Sequence, residues 1–185
     1  MKAKWLLLPV LTLFLSACGY NTIQTMDETA AAARQQIEVQ LQRRADLVPN
    51  LVETVKGYAA QEEKIFTEVA QARSALLGAR SGGNIGEMAN ANQELTGALG
   101  RLLAISESYP QLKSDANFLR LQDELTGTEN RIAVSRTDYN NAVRDYNAYI
   151  RRFPAVLTAK VTGAKARDYF EVTNAANREA PKVSF

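Results

Sequence analysis

Histidine is absent from this 185-residue chain, and cysteine occurs only once, at Cys18. Without histidine the commonest general base is missing, as are the Ser–His and Cys–His nucleophile pairs and the histidine ligands of zinc sites. A single cysteine permits no disulfide within the chain. The sequence also shows no metal-ligand spacing and no phosphate-binding loop. We therefore predict a protein that is not an enzyme and that has no cofactor and no metal site.

The chain also has no net excess of positive or negative charge once the N-terminal segment is left out. The chain has 22 basic and 20 acidic residues. Lys2 and Lys4 lie in a segment that we expect to be cleaved, and its loss leaves 20 of each sign. A nucleic-acid-binding protein would carry a basic excess, so no nucleic-acid partner is predicted.

The N-terminus has the organisation of a bacterial lipoprotein signal peptide. The two lysines precede an uncharged run of 13 residues, Trp5–Ala17, which is too short to span a bilayer. The run ends in Leu15-Ser16-Ala17-Cys18, which is similar to a lipobox. We predict cleavage after Ala17 and an N-palmitoyl, S-diacylglycerol modification of Cys18, which attaches the protein to membrane lipid. The alternative is an uncleaved anchor beside an unmodified cysteine.

The residue after the cysteine bears on the location of the protein. An acidic residue there would favour retention in the inner membrane, and this chain has Gly19. We therefore expect a lipid-anchored protein of the cell envelope, at the outer membrane and facing the periplasm.

The rest of the chain predicts α-helices, because apolar residues recur at spacings of three and four and no stretch alternates with period two. Thr25 and Glu28 form a capping-box pattern that predicts the first helix start. Asp46 and Pro49 suit the start of a second helix, and Ser114 can cap the last. The Gly/Ser-rich segment 78–86 predicts a loop. The predicted fold is an all-α, antiparallel up-and-down bundle over residues 25–153, between a tether (18–24) and a basic C-terminal tail (154–185).

Two arrangements of this bundle remain open at residues 44–49. A tight reversal there gives four helices, which we favour, whereas a kink gives three helices with a long first one. The first arrangement returns Phe153 to the membrane side, and the second points it away. Residues 151–185 hold seven basic and three acidic residues. One hypothesis is that this tail lies near anionic headgroups; the alternative is a solvated tail or one docked on the bundle.

Three segments of the chain form a specific pattern: residues 39–59 (VQLQRRADLVPNLVETVKGYA), residues 101–147 and Phe153-Pro154. These segments resemble the LemA family of bacterial envelope proteins, and the resemblance covers about residues 20–154. It implies a helical-bundle domain, usually tethered by one N-terminal membrane segment, with no established enzymatic activity or cofactor. This chain has a lipobox in place of that segment, and after Phe153-Pro154 it lacks the aromatics of a Phe-Gly-Phe-type turn.

Four polar residues fall on the predicted apolar stripes, where each would be buried. We predict that they form a structural polar layer that sets helix register; the residues are Glu62, Asn92, Thr128 and Ser135. Glu62 is expected to form an interhelical ion pair, with Arg101, Arg131 or Arg136 as candidates. The alternative interpretation is a proton-active or ligand-binding group in a small polar cavity.

Amphipathic helices on a fixed anchor favour a non-catalytic scaffold or adaptor that binds envelope proteins of unknown identity. The alternative is a small-ligand or lipid sensor that uses a polar cavity near Glu62.

Overall fold

The computed structural model describes residues 19–172, and within that range every regular element is helical. The predicted signal peptide and Cys18 lie outside the described residues, as does the end of the tail. Six α-helices and one 3-10 turn, Ile105–Ser108, follow one another in the described part. We number the helices α1 (Tyr20–Lys56), α2 (Glu63–Gly82), α3 (Ile85–Ala104), α4 (Pro110–Lys113), α5 (Ala116–Tyr149) and α6 (Ala155–Thr162). The predicted all-α class is confirmed.

Helix α1 begins earlier than predicted and passes through residues 44–49 without a reversal. It starts at Tyr20, so residues 20–24 of the predicted tether are helical. Thr25 is not a cap, because its hydroxyl donates to the carbonyl of Asn21 one turn earlier. The favoured reversal at 44–49 is wrong, and the long first helix that we gave as the alternative is present.

A proline in the middle of α1 is tolerated because its missing hydrogen bond is replaced. Pro49 lies inside the helix and cannot donate to the carbonyl of Ala45. The side chain of Arg73 supplies a donor instead, with Nε 2.7 Å from that carbonyl oxygen. The buried stripe of α1 also continues across the proline with no break in its spacing; it comprises Ile37, Leu41, Ala45, Val48, Leu51 and Val55.

The chain turns back at residues 57–62 rather than at 44–49. Helix α1 ends at Lys56, next to Gly57, and α2 begins at Glu63. The sequence prediction of one helix running from Asp46 past Glu62 is therefore wrong. Glycine disfavours a helix interior, and that weak signal was outweighed by the apolar spacing on both sides.

The predicted loop 78–86 shrinks to two residues, Gly83 and Asn84. Gly83 has a φ of 73°, a left-handed conformation that closes α2 with little strain in glycine. The side chain of Asn84 accepts from the amides of Gly86 and Glu87 at 2.9 and 3.1 Å and so caps α3.

The last long helix is capped by the neighbour of the predicted residue. Asp115 Oδ1 accepts from the amide of Phe118 at 2.9 Å, whereas Ser114 donates backwards to Pro110 and Gln111. The sequence predicts an apolar stripe along α5 that starts at Phe118 and continues at steps of three and four, and this stripe is buried as far as Tyr139 except at Ser135. Beyond Tyr139 the predicted positions are Ala142, Tyr146 and Tyr149, and the buried positions drift from them by one residue. Val143, Tyr146 and Ile150 are buried there. This drift is expected of an α-helix, whose period is 3.6 rather than 3.5.

The described residues form two compact units, and α1 and α5 contribute to both. The first unit contains residues 19–35 and 137–168, and the second contains residues 36–136 with 169–172. In the second unit α2 packs along α3. In the first unit the start of α1 packs against the end of α5 and against α6, which falls within the predicted tail. Within residues 19–172 no helix combines the length and hydropathy needed to cross a membrane.

Candidate functional site

The residue that follows the predicted lipidation site has a backbone conformation suited only to glycine. Gly19 has a φ of 81°, and its carbonyl accepts from the amide of Ile23 at 2.9 Å, which starts α1. A Cβ atom at this position would overlap the hydroxyl group of Tyr149. The chain therefore leaves α1 towards Cys18 by a close passage over the end of α5.

An apolar cluster ties the first turn of α1 to the C-terminal helix of the same unit. Its buried members are Ile23, Tyr146, Ile150 and Ala159. Met26, Tyr149 and Ala164 pack against it with partial exposure. The start of α1, the end of α5 and α6 thus meet at one end of the first unit. The sequence expectation that a long first helix would direct Phe153 away from the anchor is therefore wrong. The turn at 57–62 adds a helix that the three-helix arrangement lacked, so the described chain has four long helices and Phe153 lies near the start of α1.

An ion pair next to this cluster holds the segment that follows α6. Arg167 Nε donates to Asp27 Oδ1 at 2.7 Å. This hydrogen bond lowers the pKa of the Asp27 carboxyl below its ordinary value, against the opposing effect of burial, and raises the pKa of Arg167. Tyr146 also donates to Asp27, and burial together with that carboxylate raises the pKa of the Tyr146 phenol.

Two further side chains of α5 hold the backbone of the same segment. Asn147 is buried and bonds Arg167 twice: its amide nitrogen donates to the carbonyl, and its oxygen accepts from the backbone N–H, both at 2.9 Å. Tyr139 donates its hydroxyl hydrogen to the carbonyl of Asp168 at 2.7 Å, and burial raises the pKa of this phenol. Tyr139, Tyr146 and Asn147 therefore serve contacts within the fold.

A buried polar cluster lies in the second unit and centres on Arg44, which the sequence analysis did not place inside. Its guanidinium donates to Asn92 Oδ1 at 2.6 Å and lies 2.5 Å from Glu129 Oε2. Burial lowers the pKa of Arg44, and the charge of Glu129 partly offsets that effect. The Nε atom of Arg44 is buried without a hydrogen-bond partner.

The four predicted layer residues occupy different environments. Asn92 is buried and bonds Arg44 as described. Thr128 is fully buried, but its hydroxyl donates to the carbonyl of Glu124 in its own helix and accepts from Arg131. Ser135 is half-buried on α5. Glu62 is also half-buried and lies just before α2, outside any helical stripe.

Two of the three arginines considered as partners of Glu62 have other contacts. Arg101 pairs with Glu68 at 3.0 Å, and Arg131 bonds Gln40 at 3.2 Å. A sequence signal for Arg44 was present, because it continues the spacing of Ile37, Leu41 and Val48. The adjacent basic residues Arg43 and Arg44 instead favour a helix C-terminus on the sequence alone, because positive charge is stabilising there.

A depression of about 610 Å³ lies between α1 and α2 in the second unit, and most of its lining residues are exposed, so it is an open groove. Another depression, of about 370 Å³, lies in the first unit and is lined by Asp27 and Arg167 among others. Within residues 19–172 no three Cys, Asp or Glu side chains are grouped so that they could hold a metal ion.

Comparison with known proteins identifies relatives. The profile of the LemA family matches residues 33–185. The chain is 34% identical over 175 residues to magnetosome protein MamQ 2 of Paramagnetospirillum magneticum, and it is 34% identical over 174 residues to magnetosome protein MamQ of Magnetospirillum gryphiswaldense. Both alignments cover 82% of this chain and 64% of the relative, so the chain spans somewhat less than two thirds of those proteins. On the extent of the profile match and the identity to these relatives, the chain belongs to the LemA family.

Proposed function

We propose that this LemA-family protein is a lipoprotein of the bacterial cell envelope that acts as a non-catalytic scaffold for other envelope proteins. The anchor would be the N-palmitoyl, S-diacylglycerol form of Cys18, produced by cleavage after Ala17. Gly19 at the following position supports location in the outer membrane, facing the periplasm. The observation that carries the proposal is the start of α1 at Tyr20, because only Gly19 then separates the lipobox cysteine from the helical body.

The residues that support the lipid anchor lie outside the part of the chain that matches the family. The family profile begins at residue 33, so the charged start, the apolar run and the lipobox precede the matched region. Lipoproteins of this kind carry two or three acyl chains, and two chains are enough for stable attachment to a bilayer.

The scaffold role is supported by long helices that leave side chains available for binding. Val39 on α1 and Val134 on α5 are 57% and 61% exposed, although both belong to otherwise well-packed helices. Most polar contacts that the fold brings together, between Arg44 and Asn92 and between Arg167, Asp27 and Asn147, join side chains to each other or to the backbone, as expected of structural contacts.

The anchor is tested by intact-mass spectrometry of the protein extracted from membranes, together with metabolic labelling by an alkyne fatty acid. The wild-type chain and a Ser16→Ala control, which keeps a small residue in the lipobox, should carry the label and begin at residue 18. Cys18→Ser should remain an unlabelled precursor. A mature wild-type chain with an unmodified thiol would refute the anchor.

The scaffold role is tested by photocrosslinking in living cells with a photoreactive amino acid at position 39 or 134. We expect a discrete crosslinked protein that is absent without irradiation. Failure to capture any protein at either position, in lipidated material and across growth conditions, would count against the scaffold.

A second function, small-ligand sensing, is favoured by the groove between α1 and α2. Val48, Val52 and Phe66 line its floor and wall, and the charged side chains of Glu53 and Lys56 stand at its edge. Native mass spectrometry of the extracted protein would detect a co-purifying apolar molecule, and Val52→Glu should abolish that adduct while Val134→Glu should not.

A further inference from the structure

Helix α6 buries one face and leaves the other exposed. Ala155, Thr158 and Ala159 are buried. On the other side Leu157 and Val161 are 52% and 83% exposed. Phe153, in the turn just before the helix, is 81% exposed. Single exposed apolar residues are ordinary, but Leu157 and Val161 lie one turn apart in α6 and therefore share a side, and Phe153 adds a third exposed apolar side chain in the turn that precedes them. We call Phe153, Leu157 and Val161 the α6 face.

Exposed basic residues flank this face along the sequence, and the segment that carries it has no acidic residue. Residues 150–167 contain five basic side chains and no Asp or Glu. Arg167 is engaged by Asp27, whereas the other four are exposed: Arg151, Arg152, Lys160 and Lys165. An apolar strip with a cationic border is the composition of segments that lie in the interface of an anionic bilayer.

The α6 face also lies at the end of the first unit from which the chain continues to Cys18. Ala159, on the buried side of α6, packs in the same cluster as Ile23 of the first α1 turn. Gly19 itself lies against Tyr149 at the end of α5. A lipid on the preceding residue would therefore place the bilayer next to α6.

We propose that the α6 face is a second membrane contact, in which Phe153, Leu157 and Val161 insert among the acyl chains and the four exposed basic residues bind phosphate groups of anionic phospholipids. The inference rests on the proposed lipidation of Cys18, which brings this end of the unit to the membrane. The lipid holds the body close to the bilayer and limits its tilt, and a second contact fixes which side of the first unit faces the membrane.

The single cysteine of the chain makes a specific experiment possible. In the lipidated protein the Cys18 thiol is blocked, so a cysteine introduced at Leu157 can be labelled alone with an environment-sensitive fluorophore. The matched control is Val134→Cys, a similarly exposed apolar position on α5. Both lipidated proteins are reconstituted into vesicles of phosphatidylcholine with phosphatidylglycerol, and the accessibility of each label to aqueous iodide is compared with that in detergent.

The label at 157 should become at least about threefold less accessible to iodide on the vesicles, and it should be quenched by nitroxide-bearing lipid, as expected for a side chain below the headgroups. The label at 134 should change little. Lys160→Glu with Lys165→Glu should reduce the protection at 157 on anionic vesicles, while circular dichroism confirms an intact fold.

Three results would overturn the inference. One is equal iodide access at 157 and 134, and another is protection at 157 that does not depend on anionic lipid or on the lysines. The third is excimer emission from pyrene at 157, which would identify the face as a contact between two copies. In each case intact mass showing lipid on Cys18 would leave the anchor standing, whereas an unmodified Cys18 thiol would refute the proposed function itself.

Discussion

The two units each contain an arginine–carboxylate pair, and the environments of these pairs differ. In Arg44–Glu129 the arginine side chain is 5% exposed, whereas in Arg167–Asp27 it is 26% exposed. Burial is the dominant influence on Arg44 and lowers its pKa, while the hydrogen bond to Asp27 dominates at Arg167 and raises its pKa. Solvent access thus decides whether desolvation or pairing prevails. The buried pair should be sensitive to substitution, and the partly exposed pair should depend more on pH and salt.

The largest effect is expected at Arg44. Arg44→Ala removes a packed side chain and leaves the buried oxygen of Asn92 without its donor, and it should lower the free energy of unfolding by about 3 kcal/mol. Arg44→Met should lower it less, because Met keeps most of the packing and removes a buried charge. Urea denaturation of residues 19–185 measures both. Equal stability of wild type and Arg44→Ala would show that the cluster does not stabilise the second unit.

A smaller effect is expected at Asn147, where neutral hydrogen bonds hold the backbone of Arg167. Asn147→Ala breaks both bonds at a buried position and should cost about 2 kcal/mol. It should also speed hydrogen exchange at the Arg167 amide. Asn141→Ala is the matched control, because Asn141 is exposed and its side-chain oxygen accepts from Arg144 of the same helix. It should change stability by less than about 0.5 kcal/mol.

Gly19→Ala should cost about 1 kcal/mol through its positive φ, with a further loss from overlap with the Tyr149 hydroxyl. Adding Tyr149→Phe to Gly19→Ala should restore only the stability lost through the overlap, because the hydroxyl is then absent while the positive φ remains. A double-mutant cycle measured by urea denaturation would separate the two losses. Gly100→Ala is the control with opposite sign: its Cβ would meet nothing within 4 Å, so it should gain about 0.5–1 kcal/mol. A harmless Gly19→Ala would argue against the close passage of the chain over α5.

The smallest effect is expected at the partly exposed pair. Asp27→Asn should cost less than about 1 kcal/mol at neutral pH, because solvent screens a carboxylate whose side chain is 40% exposed. The pKa of Asp27 is lowered in the fold, so its stabilisation is complete above the ordinary value of 3.8 and disappears as pH falls below it through the depressed pKa. Thermal unfolding of the wild-type protein and of Asp27→Asn, measured from neutral pH to below the pKa of Asp27 with and without added salt, should show that their difference in stability vanishes at low pH. A difference that grows with acid would contradict the assigned pairing.

The apolar pattern of the sequence predicted the fold class well and the helix boundaries poorly. Spacing of three and four indicates which residues are buried, and it does so even across Pro49, where the pattern continued while the local signals suggested a new helix. The deciding contact was the bond from Arg73 to the Ala45 carbonyl, which joins residues 28 positions apart and leaves no local signal. The turn at 57–62 was not predicted, because apolar residues at helical spacing resume after it and suggest one continuous helix.

Polar residues in the core were predicted by position but not by partner. Asn92 and Thr128 are buried as their place on a stripe predicts, but the group that binds Asn92 is Arg44. Arg44 lies beside Arg43, and two adjacent basic residues favour a helix C-terminus, although the spacing of Arg44 matches the buried stripe of α1. The contacts of Arg167 with α1 and α5 lay beyond prediction, because they depend on the tertiary position of a segment without apolar periodicity.

The start of α1 at Tyr20 has a consequence for how the protein would meet a partner. With the lipid on Cys18 that we propose, almost no slack separates the acyl chains from a helix of 37 residues, about 55 Å in length. Rotation and tilt are then limited before any partner arrives, so less rotational entropy remains to be lost on association. Such a protein would search for its partners by lateral diffusion, with the same side already turned towards them.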